Sequence, residues 1–418
     1  MTEPTEGTDR TGSVLANRPF LFLVLAHGLS GLAFWGYFAT VFAEAAYEFH
    51  ATVGQMAVLG ASLSVQFILG SILQGLFVDR WSPKWLSFLG YVALVGAIPL
   101  AWAADSLPWL YASSFMVGGA FATIEPSRSA LTGLLVPEDR LVRANGAISV
   151  SFQISLVVGT LVGGALLDAY GSSMVYATAT GIALLPVAFV LPIPDVRQRG
   201  ERPALSLDGL QKGARTAWHH SELRLLLLIT GTSWTLINTF FVLEPLFIKQ
   251  TLHQGQEAVL YLWGAHGVGA LFGAIAITRS KRGTGREPAF VCGGVVTIGV
   301  GILGYTGVGI YGVALVAAAV AGSGFALLFP PLLAFIQRVV VEEQRGRVTG
   351  VFVALQETMG LASSLVILVL GGVIVVRPTL VGASAVLIAL GLVGVRADAA
   401  TRRTVRASAV VEDDEPAA

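Results

Sequence analysis

The chain has few of the residues that keep a protein soluble, and this shortage narrows the possible classes of protein. Only 12% of its 418 residues are charged, which is half of the ~25% that is typical of soluble domains. Cysteine occurs once, at Cys292, which excludes an internal disulfide and argues against a cysteine-based metal centre. The formal net charge is zero, so no basic field points to a nucleic-acid partner.

Motifs of catalysis and cofactor binding are missing as well. The sequence contains no phosphate-binding GxxxxGK[ST] loop, no GxSxG nucleophile elbow and no His/Cys cluster with metal-ligand spacing. We therefore expect no catalytic residues, no metal site and no cofactor, and we expect a protein that is not an enzyme. Any work it performs has to draw on an ion gradient or on the gradient of its own substrate.

What the chain has in abundance is long apolar runs. Hydrophobic residues make up 54% of it, the mean hydropathy is +0.73, and 49 glycines favour close helix packing in lipid. A membrane-spanning helix needs about 20 mostly apolar residues. The sequence predicts an all-α membrane protein with twelve transmembrane spans, numbered 1 to 12, near residues 19–43, 53–78, 85–104, 108–128, 144–167, 172–192, 223–248, 258–278, 288–307, 311–333, 349–376 and 378–396.

The basic residues predict which way these spans face. If the N-terminus is cytoplasmic, all of the 26 Lys and Arg residues except Lys249 and Arg377 fall in cytoplasmic segments or at cytoplasmic helix ends. Such a bias is what the positive-inside rule produces. We expect a multi-pass protein of the inner (cytoplasmic) membrane with both termini in the cytoplasm.

The same pattern divides the chain into five parts. The first residues are polar and lack the basic start and apolar core of a signal peptide, so they are interpreted as a tail. A polar segment rich in Arg, Pro and Gly separates two groups of six spans. The predicted parts are a cytoplasmic tail at 1–18, a six-helix bundle at 19–192, a cytoplasmic linker at 193–221, a second six-helix bundle at 222–396 and a cytoplasmic tail at 397–418.

An internal repeat relates the two bundles. A single offset of 204 positions lays GGAFATIEP, beginning at Gly118, over GSGFALLFP, beginning at Gly322. The same offset continues through the next cytoplasmic loop, so that spans 4 and 5 correspond to spans 10 and 11. Internal repeats of this kind are typical of transporters. The matched pairs are Gly118 and Gly322, Phe121 and Phe325, Ala122 and Ala326, Pro126 and Pro330, Glu138 and Glu342, Arg143 and Arg347, and Gly146 and Gly350.

The loop between spans 2 and 3, GLFVDRWSPK, resembles the loop signature of the major facilitator superfamily. The matching positions are Gly75, Asp79, Arg80 and Lys84, whereas Ser82 and Pro83 stand where the signature usually has Gly and Arg. The resemblance extends over almost the whole chain and implies the major facilitator fold with its 6+6 pseudo-repeat. The segment Glu125–Gly146 is similar to the one that joins helices 4 and 5 in siderophore and multidrug exporters of this superfamily.

The resemblance also implies roles for two helical regions. Asp79 is expected to contact the cytoplasmic start of span 11, near Thr349, and to clamp the two bundles together by its interaction with the helix dipole. The alternative is an ordinary charge at a helix end. In span 5, VGTLVGG with Gly159, Gly163 and Gly164 resembles the antiporter motif, although Thr160 occupies its usual proline. Ser114 stands where many drug/proton antiporters have an arginine in span 4.

Ionisable residues within a span are functional candidates, because an unpaired charge costs several kcal/mol in lipid. Glu357 lies roughly ten residues into span 11, and its repeat partner is Gln153, so it is the first candidate for proton coupling. The alternative is a protonated, hydrogen-bonded core residue. Glu244, which faces either an outer vestibule or headgroups, and His27 are further candidates. His27 and His266 are alternatively neutral hydrogen-bonding groups.

Other polar and aromatic positions complete the predicted site. Glu125 and Arg128 are three residues apart in span 4, share one helix face and are expected to form a structural pair. By the resemblance, spans 1, 4, 7 and 10 surround the central cavity, and aromatic side chains with few charges favour amphipathic organic molecules. The alternative is that these rings face lipid. The candidate cavity residues are Trp35, Tyr37, Gln153, Trp234 and Asn238.

Together these features predict a secondary active transporter that exports a small amphipathic organic compound (a drug, siderophore or secondary metabolite) by alternating access. The expected partners are that substrate, the lipid bilayer and a proton as the coupling ion, and the expected state is a monomer. The alternatives are a metabolite importer of the same fold and a lipid-flipping or non-transporting membrane protein.

Overall fold

The computed structural model of the chain describes residues 14–77, 82–195, 207–279 and 285–413. Within these ranges the protein is helical, with no strand and with thirteen α-helices. Short 3₁₀ turns lie at Val14–Ala16 and Glu138–Arg140, and a π-helix follows α8 at Ile248–Leu252. The helices are α1 (Arg18–Tyr47), α2 (Val53–Phe77), α3 (Pro83–Trp102), α4 (Leu107–Leu135), α5 (Leu141–Tyr170), α6 (Ser172–Val190), α7 (Leu207–His219), α8 (Ser221–Phe247), α9 (Glu257–Arg279), α10 (Glu287–Val308), α11 (Tyr311–Val339), α12 (Glu342–Leu370) and α13 (Val376–Asp413).

Eleven of these helices are long and apolar enough to cross a membrane. They are all of the described helices except α2 and α7. Helix α2 is 25 residues long and has no charged residue, so it meets the same requirement of length and is the candidate for a twelfth span. The all-α membrane fold predicted from the sequence is therefore confirmed, with spans 1 to 6 corresponding to α1–α6 and spans 7 to 12 to α8–α13.

Several predicted helix ends are displaced in the structure. Helix α1 continues to Tyr47, and α12 begins at Glu342, seven residues before Thr349, and ends at Leu370. Helix α13 extends to Asp413, well into the predicted C-terminal tail. Hydropathy marks where apolar side chains lie, whereas a helix ends where its backbone hydrogen bonds end, and these two points need not coincide. The predicted helix start near Thr349 is therefore wrong, because Thr349 lies inside α12, and the contact expected there for Asp79 stays a prediction because Asp79 lies outside the described residues.

The linker between the halves contains a helix that the sequence reading did not predict. Helix α7 packs against α12, where Thr216 Oγ1 and Gln344 Oε1 are 2.6 Å apart. Its Gly213 approaches the α12 backbone so closely that an added Cβ would lie 2.7 Å from the Arg347 carbonyl oxygen. Trp218 on the opposite face of α7 is exposed.

The helix packing repeats between the two halves. In the first half, α1 packs against α5 and α6, α3 packs against α4 and α6, and α2 packs against α4. In the second half, α8 packs against α12 and α13, α10 packs against α11 and α13, and α9 packs against α11. Each pair in one half has its counterpart at the same position in the other, which agrees with the 204-residue repeat in the sequence.

Two repeated glycines explain why one helix pair packs closely in both halves. Gly118 of α4 faces α2, where an added Cβ would lie 3.2 Å from the Leu63 carbonyl oxygen. Its repeat partner Gly322 of α11 faces α9 and would place a Cβ in severe overlap with the His266 carbonyl oxygen. Any larger residue at Gly322 would force α9 and α11 apart, so a glycine is required there.

We call the end where α1 begins and α13 ends the inner end, and the opposite end the outer end. The halves meet through α5 against α9 and through α2 against α12. At the outer end, the Tyr47 hydroxyl donates to the Gln254 carbonyl oxygen at 2.8 Å, and Lys249 Nζ donates to the Ala46 carbonyl oxygen at 2.7 Å. The outer end is therefore closed by contacts between the halves.

Candidate functional site

A polar cluster of the first half lies in the inner part of the membrane region, between α1 and α4. Arg128 donates from Nη2 and Nε to Glu125 Oε2, at 2.8 and 3.2 Å. The other carboxylate oxygen, Oε1, is 3.5 Å from His27 Nδ1. The side chain of Glu125 is 34% exposed, whereas those of Arg128 and His27 are 15% and 3% exposed. The structure thus joins His27, predicted as a separate candidate, to the predicted Glu125–Arg128 pair.

Glu357 lies close to the middle of α12, as predicted, and its side chain is half-buried. No hydrogen bond or ion pair joins its carboxylate to another residue in the described part of the chain. One turn further toward the outer end, Gly360 packs beside Ser64 of α2 and beside Trp234 and Asn238 of α8. Glu357 therefore lies just on the inner side of the point where α12 meets α2 and α8.

Gln153 occupies the corresponding position in α5. It is half-buried, and the next turn of α5 packs against α9, where Gly267 would place a Cβ 2.8 Å from Val157 and 3.1 Å from Leu156. Gln153 therefore lies just on the inner side of the α5–α9 contact, as Glu357 does at the α2–α12 contact. Of these two repeat partners, only Glu357 carries an ionisable group.

Glu244 is fully buried, so it lines neither an outer vestibule nor the headgroup region, and both expectations for it are wrong. Its carboxylate accepts hydrogen bonds from Trp263 Nε1 at 2.7 Å and from the Tyr305 hydroxyl at 2.8 Å. These donors come from α9 and α10, the two α-helices that follow α8 in the sequence. The π-helix that follows α8 extends this span beyond Glu244. Glu244 therefore does not lie at the boundary between lipid and water.

Glu44 is a buried carboxylate that the sequence reading missed. It is 8% exposed and accepts hydrogen bonds from Ser172 Oγ at 2.9 Å and the Tyr176 hydroxyl at 2.5 Å. The predicted span 1 ended at residue 43, because Glu44 lowers the local hydropathy, whereas α1 continues to Tyr47. The only sequence signal was its position, three residues before the end of the first helix, which Glu244 shares in the second half.

Trp263 of α9 connects the halves near the outer end. Its ring lies 5.1 Å from Phe38 and 6.3 Å from Trp35, both in α1, and 5.6 Å from Phe241 in α8. Because the same indole donates to Glu244, one side chain links the aromatic contact between the halves to a buried carboxylate. This aromatic packing adds to the contacts that close the outer end.

The predicted cavity residues are not all placed alike. Trp35 and Trp234 are half-buried within aromatic neighbours, at ring distances of 5.8 Å from Phe152 and 5.7 Å from Phe329. Tyr37 is different: it is fully buried and its hydroxyl lies 2.7 Å from Ser113 Oγ. Tyr37 therefore has no exposed surface to offer a substrate, and its assignment to the cavity is wrong.

Asn238 and His266, which were also identified from the sequence, each form hydrogen bonds. Asn238 Nδ2 donates to the Gly360 carbonyl oxygen at 3.0 Å and to Ser364 Oγ at 3.3 Å, and so joins α8 to α12. The buried His266 has Nδ1 2.9 Å from the Leu262 carbonyl oxygen. Since a carbonyl oxygen only accepts, His266 Nδ1 is a donor in this contact, which leaves Nε2 free of a proton in the neutral ring.

The glycines of the predicted motif in α5 pack against two different partners. Gly159 faces α1 of its own half, where an added Cβ would lie 2.8 Å from the Leu32 carbonyl oxygen. Gly163 and Gly164 face α9 of the other half, where added Cβ atoms would lie 2.9 Å from Leu260 and 2.8 Å from Tyr261. The motif thus occupies the closed outer contact between the halves.

The signature loop is described only in part. Gly75 lies in the last turn of α2, and Asp79 and Arg80 lie outside the described residues. Lys84 Nζ donates to the Leu191 carbonyl oxygen at 2.7 Å, at the inner end of α6. Within the described ranges, no group of three or more His, Cys, Asp or Glu side chains is arranged to hold a metal ion.

The structure consists of two repeated bundles that are in contact at the outer end, with half-buried polar side chains on the inner side of that contact. This arrangement is typical of multi-pass membrane transporters. The profile of the Major Facilitator Superfamily matches residues 23–364, and the chain belongs to this family. The resemblance stated from the signature loop is therefore confirmed at the level of the superfamily.

The chain is similar in sequence to several named proteins. The chain is 26% identical over 360 residues to the uncharacterized MFS-type transporter YfiS of Bacillus subtilis, covering 82% of this chain and 84% of the relative. It is 26% identical over 227 residues to the lysophospholipid transporter LplT of Pectobacterium carotovorum, covering 52% and 54%. A match of 31% identity to the mouse Hippocampus abundant transcript 1 protein covers 37% of this chain and 30% of that protein.

Solved structures share the fold at low sequence identity. The nucleoside transporter NupG is 15% identical, with a TM-score of 0.69 over 90% of this chain and 98% of that chain. A bacterial homologue of the lysosomal transporter Spinster, in an inward-facing and unoccupied conformation, is 15% identical, with a TM-score of 0.66 over 93% and 96%.

Proposed function

We propose that the protein is a secondary active transporter that exports a small amphipathic organic compound by alternating access, with a proton as the coupling ion. The observation that carries this proposal is Glu357, a half-buried carboxylate in the middle of α12 with no partner among the described residues. It lies on the inner side of a contact between the halves that has to open for alternating access. A carboxylate in that position experiences different surroundings in the two states and can bind a proton in one of them.

The side chains of the central region favour an amphipathic substrate. Trp35, Phe152, Trp234 and Phe329 bring aromatic surface to the region between the halves. Pockets of this kind hold organic molecules by apolar contact, with a small number of polar groups for orientation. Gln153, Glu357 and the Glu125–Arg128 pair supply such polar groups.

The direction of transport is inferred from α5. Its glycines at the outer contact are those of the segment that resembles the antiporter motif. Where that motif usually has proline, the Thr160 hydroxyl donates to the Leu156 carbonyl oxygen at 2.7 Å. A threonine bonded in this way bends a helix slightly, so it partly replaces the proline. On the charge pattern, the inner end is the cytoplasmic end and the membrane is the inner membrane.

The test of this function is transport into proteoliposomes with and without an imposed pH gradient. Glu357→Gln retains the shape of the side chain but is always neutral. We expect it to abolish gradient-driven accumulation and to retain substrate binding and downhill exchange. Glu357→Asp, which keeps an ionisable group, is the matched control and should retain a response to the gradient. A Gln variant that accumulates substrate as well as the wild type would move the coupling site elsewhere, with Glu244 and His27 as the remaining predicted candidates.

A lipid substrate is a second candidate, favoured by the similarity to a lysophospholipid transporter over about half of the chain. A lysolipid is itself amphipathic, so the aromatic region suits it equally well. Adding a fluorescent lysophospholipid to the same proteoliposomes distinguishes the two: movement of the lipid between leaflets, without accumulation of soluble compounds, would favour the lipid.

A further inference from the structure

Polar atoms around Glu125 are buried without hydrogen bonds. Within the described part of the chain, His27 Nδ1 and Ser87 Oγ have no hydrogen-bond partner. Tyr91 lies within electrostatic range of Glu125, and Ser87 is one turn before Tyr91 on the same face of α3. The hydroxyl of the neighbouring Ser30 donates to the His27 carbonyl oxygen at 2.9 Å. Buried polar groups are ordinarily paired, so such a concentration needs an explanation.

The two oxygens of Glu125 are in different situations. Oε2 receives both hydrogen bonds from Arg128. Oε1 has His27 Nδ1 at 3.5 Å, which is within reach of an ionic interaction but lacks the geometry of a hydrogen bond. A purely structural pair within one helix would leave the second oxygen to solvent, whereas here it faces a buried imidazole. When Oε1 carries a proton, its O–H group can donate a hydrogen bond to His27 Nδ1, which otherwise has no partner.

The titratable groups around Glu125 come from three helices. They are His27 from α1, Tyr91 from α3 and Arg128 from α4 itself. Helix α2 has no titratable residue between 53 and 77, and α5 has Arg143, Asp168 and Tyr170, which lie near its ends. Glu125 is therefore the acid of this cluster, and its side chain is 34% exposed.

We propose that Glu125, with His27 and Tyr91 around it, is a proton-binding site of the first half, distinct from Glu357. This proposal rests on the proposed proton coupling and deepens it. Uptake adds one proton to the Glu125 carboxylate and forms the neutral acid; release returns it to water on the inner side. In the deprotonated form Arg128 neutralises the carboxylate, and this is the ion pair in the structure.

The site can be tested without any substrate, by pH-difference infrared spectroscopy of the purified full-length protein in lipid. Wild type should show a carboxylic-acid C=O band that appears and disappears with pH. Glu357→Gln removes the band that the proposed coupling carboxylate adds, so the comparison is made in this background, where we expect a titrating band that Glu125→Gln abolishes. His27→Asn leaves the ion pair in place and should shift the frequency of the band, because the group that faces Oε1 changes.

Two further variants keep the test decisive. Glu125→Gln/Arg128→Gln removes both charges, so it must lose the band even if the single variant misfolds with an unpaired Arg128. Glu287→Gln alters a carboxylate that pairs with Arg338 at 3.1 Å, at the inner ends of α10 and α11, and should leave the band unchanged. In the Glu357→Gln background, a band that persists after both substitutions at Glu125 and Arg128, or the lack of a titrating band while Glu125 is intact, overturns the proposal. Failure of transport with an intact Glu125 band would instead count against the proposed function alone.

Discussion

At the scale of single residues, the two halves place a buried carboxylate near the outer end of their first helix. Glu44 and Glu244 each lie three residues before the end of that helix, and each accepts two side-chain hydrogen bonds, one of them from a tyrosine. A buried polar group that loses a partner costs about 1–3 kcal/mol. Both carboxylates therefore depend on their donors, and the donors fix the positions of neighbouring helices.

This dependence predicts an effect of Tyr305→Phe, which removes one donor from the fully buried Glu244. We expect a loss of about 1–3 kcal/mol of stability, observed as a lower apparent unfolding temperature of the purified protein in detergent. Tyr311→Phe is the matched control, because the half-buried Tyr311 hydroxyl has no hydrogen bond within the described residues. Equal unfolding temperatures for the two variants would mean that the bond to Glu244 contributes nothing to stability.

The sequence predicted some of these residues and not others, for a physical reason. Glu357 and Gln153 were found because depth in the membrane depends on distance along a helix, which the sequence contains. The burial of Glu44 and Glu244 depends on donors from other helices. The contact of His27 with Glu125 likewise joins α1 to α4. Contacts of this kind follow from the packing of helices against one another. No local sequence pattern encodes that packing.

At the scale of helices, the glycines of α5 determine how closely the halves approach at the outer end. Gly163 faces Leu260 of α9 and also lies close to α1, where an added Cβ would be 3.3 Å from Gly36 Cα. A larger side chain at position 163 would therefore meet the backbone of α1 on one side and α9 of the second half on the other. It can be accommodated most easily by a separation of α5 from α9.

We therefore predict that Gly163→Leu opens the outer end. A cysteine at Gln153, in a background that carries Cys292→Ser, should become accessible to a membrane-impermeant thiol reagent from the outside, and transport should fall. Gly181→Leu in α6 is the control, because an added Cβ there meets nothing within 4 Å. If Gln153→Cys is labelled equally in both glycine variants, the glycine contact does not hold the outer end closed.

Helices were predicted well where apolar length decides them and poorly where it does not. Helix α7 escaped prediction because it is short and polar, with small residues Gly213 and Ala217 on the face that is buried. The first turns of α12 were missed because they carry charged residues beyond the apolar run. In both cases the helix is stabilised partly by packing against its neighbour, which composition alone does not reveal.

At the scale of the whole molecule, the distribution of basic residues makes a prediction about orientation. Cysteines placed at Gln254 and Asp105, which lie in the predicted external loops, should react with an impermeant thiol reagent in intact cells. A cysteine at Gln198, in the linker, should react only after the membrane is permeabilised. The reverse pattern, with Gln198 labelled and the other two silent, would invert the orientation and the assignment of the cytoplasmic end.

The repeated helix packing also bears on how such a protein arose. Six crossings return the chain to the side of the membrane from which it started, so both halves enter the bilayer in the same direction. A six-helix ancestor of one fixed orientation was then able to pair with a second copy of itself before the two genes fused. The linker, with α7 along α12, is what a fusion had to add. Once joined, the copies were free to diverge, and Gln153 of one now corresponds to Glu357 of the other.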